Sequence, residues 1–203
     1  MPEINFRKVL LPFLTVFLLL LVHEIIIGRP DDHPFLYRDV SSVQIPPFRT
    51  MDLQGNTVTQ DIFMGNFTVV CLWVTQDADN SRKLLTSIND WRNSAPAAFQ
   101  FIGMIGDLKD ASDAARITAA SSVAGAIPAV PQLFVNDDLA DLLARIRNVP
   151  TVFFVDKSGN LVGQPVVGNE PVLVQKEAMR LIGAESEEGK VQKELQNILF
   201  WRP

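Results

Sequence analysis

Cys71 is the only thiol in the 203-residue chain. With one cysteine, no intrachain disulfide can form. Cys71 stands inside Thr68-Val-Val-Cys-Leu-Trp-Val74, a β-branched and aromatic run that predicts a buried strand. A free cysteine in such a strand behaves as a small hydrophobe. A peroxidatic thiol would need an accessible, thiolate-stabilising setting, and an apolar strand offers the opposite. Two histidines, His23 and His33, plus one cysteine fall short of the ligand set of a zinc site. No metal and no cofactor is therefore expected. There is no GxSxG elbow, no P-loop and no GxGxxG. No residue is assigned a catalytic role.

The next residues with chemical potential are acidic. Trp73-Val-Thr-Gln-Asp-Ala-Asp-Asn-Ser-Arg-Lys83 leads into 81–93, where Leu84, Leu85, Ile88 and Trp91 recur at helical spacing. Asp79, Asn80 and Ser81 are the candidate caps of that helix. Asp77 and Asp79 read as carboxylates that cap amides and favour the helix dipole, by about 0.3–1 kcal/mol each, rather than as acid/base or metal groups. Trp73 and Trp91 read as packing residues.

These residues need a scaffold, and the remaining sequence supplies one. Met51 to Val58 carries a turn signal at Gly55-Asn56 between two short extended pieces. Strands are expected at Phe99–Ile105, Leu133–Val135 and Thr151–Val155. Asp156-Lys-Ser-Gly159 forms a hairpin turn, and Leu161–Val167 is the returning strand. Helices are expected at Ala111–Val123, Asp138–Arg147 and Pro171–Ile182, the last with proline near its start. Strands and helices alternate before a hairpin closes the pattern. That predicts an α/β sandwich with a mixed central sheet.

The two ends differ from this middle. Val9 to Ile27 is just long enough to span a bilayer, which takes about 17–25 apolar residues. Arg7 and Lys8 precede it and place the N-terminus in the cytoplasm. A cleaved signal peptide is the competing reading, but His23-Glu24-Ile25-Ile26-Ile27 is a poor substitute for a small-residue cleavage site. Either reading puts the rest of the chain outside the cytoplasm. Beyond residue 30 the balance is 15 basic to 21 acidic residues, which gives no footprint for nucleic acid. At the other end, Val191, Leu195, Ile198 and Leu199 form an amphipathic stripe followed by Phe200 and Trp201. The expected organisation is an anchor at 1–30, a linker at 31–45, an α/β domain at 46–183 and a helical extension at 184–203.

Two stretches resemble a known family. Residues 46–75 contain Pro-Pro-Phe, Leu-Gln-Gly-Asn-Thr-Val and Phe-Thr-Val-Val-Cys-Leu-Trp-Val-Thr. They are similar to the start of the redoxin or TlpA-like branch of thioredoxin-fold proteins. Residues 148–163, Asn-Val-Pro-Thr-Val-Phe-Phe-Val-Asp-Lys-Ser-Gly-Asn-Leu-Val-Gly, resemble that family's V-P-T motif, apolar strand and D-x-x-G turn. The resemblance covers roughly 45–183 and implies a thioredoxin-like three-layer sandwich behind an N-terminal transmembrane helix. It also implies that Val149–Pro150 is cis and that Val149, Pro150 and Thr151 form a peptide-binding loop beside Gln76–Asn80.

The family's chemistry sits in W-C-x-x-C at the head of the first helix, where the helix N-terminus stabilises the thiolate. This chain departs there. In the family the strand ends in W-A-x-W just before C-x-x-C; registering the first of those tryptophans on Trp73 puts Asp77 and Asn80 at the cysteine positions, while registering the basic residue after the second cysteine on Arg82 puts Ala78 and Ser81 there instead. Neither register holds a sulfur. Two functions follow from the resemblance: a non-catalytic module that binds an extracytoplasmic protein or peptide, or a thiol–disulfide oxidoreductase or peroxiredoxin-like protein using Cys71 or a partner's cysteines. The charge pattern before the apolar span makes one expectation testable at once: protease added to intact bacterial spheroplasts should digest the domain, and full protection would rule out the outward orientation.

Overall fold

A computed structural model describes residues 43–144 and 146–183. The expected membrane segment, most of the linker and the C-terminal extension lie outside the described residues. The strands are β1 (Val43–Gln44), β2 (Arg49–Met51), β3 (Thr57–Thr59), β4 (Phe67–Trp73), β5 (Phe99–Ile105), β6 (Gln132–Phe134), β7 (Thr151–Val155) and β8 (Asn160–Val167). The helices are α1 (Ala78–Arg92), α2 (Ala114–Ala124), α3 (Asp137–Leu143) and α4 (171–183).

Six strands form one mixed sheet in the order β1-β8-β7-β4-β5-β6. β4, β5 and β6 run parallel, while β7 is antiparallel to β4, and β8 and β1 continue antiparallel. β4 lies between two neighbours, and all seven of its residues are buried. Its alternate side chains serve two cores. Phe67, Val69, Cys71 and Trp73 join Leu84, Leu85 and Ile88 of α1, Ala120 and Val123 of α2, and Val174 and Ala178 of α4. Val70 and Leu72 join Phe48, Phe63, and Leu139 and Leu143 of α3. Helices thus cover both faces, which makes the three layers expected of an α/β sandwich.

One turn is built twice. Asp52-Leu-Gln-Gly55-Asn56 links β2 to β3, and Asp156-Lys-Ser-Gly159-Asn160 links β7 to β8. In each, one carboxylate oxygen of the aspartate accepts the amides two and four residues on, and the other accepts the asparagine side chain. Gly55 and Gly159 sit at φ 85 and 79, backbone that a side chain disfavours. The β2–β3 hairpin then caps the edge of the large sheet: Leu53 donates its amide to the Gln132 carbonyl at 3.0 Å, and Asp52 bridges to Leu133. An exposed edge of this kind would otherwise template foreign strands.

Several boundaries differ from the sequence expectation. Residues 43–45, expected in the linker, pack with the domain: Val43–Gln44 pairs with β8 and Ile45 is buried. α2 starts at Ala114 rather than 111, since Asp113 caps it by accepting the Arg116 amide at 2.9 Å. α3 stops at Leu143, short of the expected Arg147. The chain must leave helical geometry before Pro150, whose ring disfavours it in the preceding residue. The strand expected at Leu133–Val135 shifts to Gln132–Phe134.

The doubled turn yields a stability comparison. Removing a carboxylate that satisfies three donors should cost about 1–3 kcal/mol. Asp52→Ala should cost more than Asp156→Ala, because Asp52 is buried and its loop covers a sheet edge. Urea denaturation of the two variants checks the order, and equal midpoints would contradict it.

Candidate functional site

Trp73, Asp77 and Asn80 lie where β4 leaves the sheet and α1 begins. Two polar side chains fix that crossing. Ser81 is fully buried in the first turn of α1. Its hydroxyl donates to the Val74 carbonyl at 2.9 Å and accepts from the Val74 amide at 3.4 Å. Asp107 reaches in from the loop after β5. Its carboxylate accepts the Thr75 amide at 2.9 and 3.0 Å, the Thr75 hydroxyl at 2.6 Å and the Gln76 amide at 3.2 Å. The Arg116 guanidinium in turn donates to the Asp107 carbonyl. The segment 74–76 is therefore held from both sides.

Asp77, rather than Asp79, Asn80 or Ser81, is the N-cap residue of α1. Its side chain caps no amide, which corrects the expectation for this carboxylate. Instead Asp77 accepts the Asn80 side-chain amide at 2.9 Å. Asn80 is exposed, and Ser81 is the inward side chain of that turn. The two positions that the Trp73 register aligns with cysteines thus hold a surface hydrogen bond between a carboxylate and an amide.

Trp73 is fully buried at the end of β4. A buried indole N–H needs an acceptor, and Gln132 of β6 supplies it at 3.0 Å. The Gln132 amide nitrogen donates on to the Val130 carbonyl at 3.2 Å, so both ends of that buried side chain are used. Between them lies Gly103 of β5. A Cβ built there would stand 1.8 Å from the Gln132 oxygen, so only glycine leaves room for the bridge. Neither Gln132 nor Asp107 was picked out from the sequence. A glycine inside Phe99-Gln-Phe-Ile-Gly-Met-Ile105 was the available signal, since strand glycine marks close approach. Nothing in the local sequence named its partner.

Val149–Pro150 is cis. The β4–β7 ladder ends at the pair Leu72 and Thr151. The chain entering β7 through Val149 and Pro150 therefore shares the sheet end from which β4 departs through Trp73 and Val74. Thr151 donates its hydroxyl to the Asn148 carbonyl at 2.7 Å, and Gly168 donates its amide to the Pro150 carbonyl at 2.8 Å. Among the described residues, the N–H and C=O of Val149 have no partner. Val149 is half-buried, and the carbonyls on either side of it, those of Asn148 and Pro150, are both taken.

Cys71 is not part of this end. It pairs with Gly103 and Val152 in mid-sheet and points into the core shared with α1. Burial away from water pushes its thiol up to about 12. Among the described residues, no group of histidine, cysteine and carboxylate side chains is placed to hold a metal ion.

Many solved structures share this architecture. A protein described as a thiol:disulfide interchange protein DsbE, from Chlorobium tepidum, matches at a TM-score of 0.55 and 18% identity, over 70% of this chain and 96% of its own. The chain has a thioredoxin-like fold. A protein described as a thiol-disulfide oxidoreductase, from Bacteroides vulgatus, matches at a TM-score of 0.54 and 18% identity, over 72% of this chain and 95% of its own. The pneumococcal exposed lipoprotein thioredoxin from Streptococcus pneumoniae matches at 0.51 and 18% identity, over 70% and 99%. At such identity the likeness fixes the fold and leaves the chemistry to the residues present. No family model and no curated protein matches the chain.

The Cys71 environment predicts an inert thiol. Since its native ionisation is raised from 9.0 to about 12, the folded thiol stays protonated at ordinary pH. Its contribution to stability is complete below pH 9 and is lost as pH climbs toward 12, where only the unfolded chain ionises readily. Ellman's reagent at pH 8 should leave the native chain unlabelled and titrate one thiol after denaturation. Rapid native labelling would show that Cys71 reaches solvent.

Proposed function

We propose that this chain is a thioredoxin-like domain that binds an extended segment of a protein or peptide without disulfide chemistry. One observation carries the reading. Where the resembling family places a thiolate pair, the chain holds Asp77 and Asn80 bonded to each other, while its single thiol is shut in the core. Thiol–disulfide exchange proceeds by thiolate attack through a mixed disulfide, and this end of the sheet offers no sulfur for either.

The binding half of the apparatus survives. An extended ligand adds to a protein by backbone pairing, and Val149 presents one donor and one acceptor that have no partner among the described residues. The surroundings are held by Ser81, Asp107, Thr151 and Gly168, so little order has to be bought on binding. Affinity from so few hydrogen bonds is modest, at about 0.5–1.5 kcal/mol each. That suits reversible recognition.

The domain is further read as extracytoplasmic and tethered by the segment Val9–Ile27. The support is the length of that apolar run and the basic residues before it. Among the described residues, no helix is long and apolar enough to cross a membrane. One structural neighbour is described as an exposed lipoprotein, which fits an outward-facing domain. The alternative, an oxidoreductase or peroxiredoxin-like protein using Cys71, would require the central strand to open.

Two measurements decide between these readings. Insulin reduction with dithiothreitol should match the protein-free control, and an excess abolished by Cys71→Ser would restore the enzymatic reading. A photo-crosslinking residue at the exposed Asn148 should capture a discrete partner in native membranes. The same residue at Ser158, at the opposite end of β7, should not. Equal capture at both positions would sink the binding site proposed at Val149.

A further inference from the structure

Strand β6 starts too late to cover the whole of β5. Its ladder reaches only Gly103, Met104 and Ile105, so Phe99 to Ile102 have no strand on that side. The backbone groups that face this gap can be identified. Gly103 donates its amide outward to the Pro131 carbonyl at 2.8 Å, while Gly106 donates inward to the Trp73 carbonyl at 2.7 Å. Backbone groups alternate in direction along a strand, so Phe101 turns its N–H and C=O outward with those of Gly103. One more step of the ladder would need an N–H from residue 131 and a carbonyl from residue 129. Residue 131 is proline and has no N–H. Ala129 sits at φ 63, outside strand geometry. Among the described residues, nothing on the open side takes either group of Phe101. Phe101 is buried all the same, and buried backbone groups are almost always paired.

A cavity of about 310 Å³ lies against this gap, with Ala95, Ala97, Phe99, Phe101 and Val130 among its lining residues. The charged residue of the lining is Arg92, half-buried in the last turn of α1. Its Nε and Nη2 donate to the Asn89 side-chain oxygen at 3.3 and 3.1 Å, and Nη2 also donates to the Pro128 carbonyl at 3.2 Å. These acceptors are neutral, and they hold the guanidinium in place without cancelling its charge. Among the described residues, no carboxylate pairs with Arg92 and nothing accepts from its Nη1. One planar cation, one backbone donor and one backbone acceptor therefore border the same cavity. A guanidinium so placed suits a carboxylate.

We propose that this cavity takes the free C-terminus of a peptide, its last residue antiparallel to β5 and opposite Phe101. In an antiparallel hydrogen-bonded pair, one residue exchanges both backbone bonds with its opposite number. The last residue of a chain can complete that exchange. Its N–H donates to the Phe101 carbonyl, and one carboxylate oxygen accepts the Phe101 N–H. The second carboxylate oxygen is left for Arg92. An internal residue would supply the same two bonds and no charge for Arg92 to meet. The alanine, valine and phenylalanine lining suits an apolar last side chain. Phe101 pairs with Val69 early in β4, whereas Val149 lies beyond the far end of the β4–β7 ladder. The two binding sites are therefore separate and stand on different observations.

Two short peptides test this on the full-length chain in detergent: N-acetyl-Ala-Val with a free carboxylate, and the same peptide amidated. With phenylalanine and valine labelled by nitrogen-15, NMR follows the amides of Phe101 and Val149 during titration. The acid should shift the Phe101 amide saturably, with a dissociation constant at or below about 10 mM. The amidated peptide should bind about tenfold more weakly, because it lacks the charge-assisted bond to Arg92. Arg92→Gln should bring the acid down to the level of the amidated peptide and leave the latter unchanged. Pro131→Ala keeps Arg92 but supplies the missing N–H to the Phe101 carbonyl, so it should weaken both peptides. Equal affinity of the two peptides for the unaltered chain would overturn the proposal. So would an equal loss of both in Arg92→Gln, or undiminished binding in Pro131→Ala. Absence of a saturable shift, or saturation at Val149 in place of Phe101, would overturn it as well.

Discussion

Strand β4 has no face and no edge open to water, and most of the molecule is arranged around that constraint. Its backbone groups are taken by β5 on one side and β7 on the other. Its side chains must therefore be apolar along the whole length, or carry their own partners. Thr68 and Trp73 are the exceptions with polar atoms, and each has a hydrogen bond. Cys71 fits because a thiol costs little to bury when it stays protonated. The features that make β4 a good central strand are those that disqualify its cysteine as a nucleophile.

The same constraint explains why the end of the sheet is so firmly built. A fully buried strand must deliver the chain into α1 without leaving unpaired amides at the boundary. Ser81 takes both backbone groups of Val74, and Asp107 takes the next two amides. These bonds need no sulfur. A cysteine pair can therefore be absent while the crossing from β4 to α1 keeps its shape. In that sense the scaffold of the site and the chemistry of the site are separable, which is why fold alone does not imply function.

What was legible in the sequence follows the range of the interactions concerned. The strands announce themselves through runs such as Thr151-Val-Phe-Phe-Val155, and the turn at Asp156 through a four-residue pattern, because both depend on near neighbours. The identical aspartate–glycine–asparagine turn at Asp52 was visible as a hairpin, but its role as a cover for β6 was not. That role depends on residues about eighty positions apart. Gln132 and Asp107 were invisible for the same reason: the first acts 59 residues from Trp73 and the second 32 from Thr75. Asp77 shows a subtler failure. Its type and position at a helix start promised an amide cap, but Asn80 offers a side-chain donor within reach and takes the carboxylate instead. Local propensity proposes, and the nearest competing donor decides.

Val149 sits at the meeting point of these arguments. Its neighbours on either side have surrendered their carbonyls, one to the Thr151 hydroxyl and one to the amide of Gly168 just past β8. Among the described residues, nothing takes its own donor or acceptor. Buried backbone groups are almost always paired, and half-buried Val149 finds no such partner among the described residues. Water can satisfy it in the free protein at little cost. An extended ligand that replaces that water gains only the difference, which limits affinity but leaves geometry to select the ligand. A site of this kind discriminates by shape and backbone alignment, and it works whether or not a sulfur stands beside it.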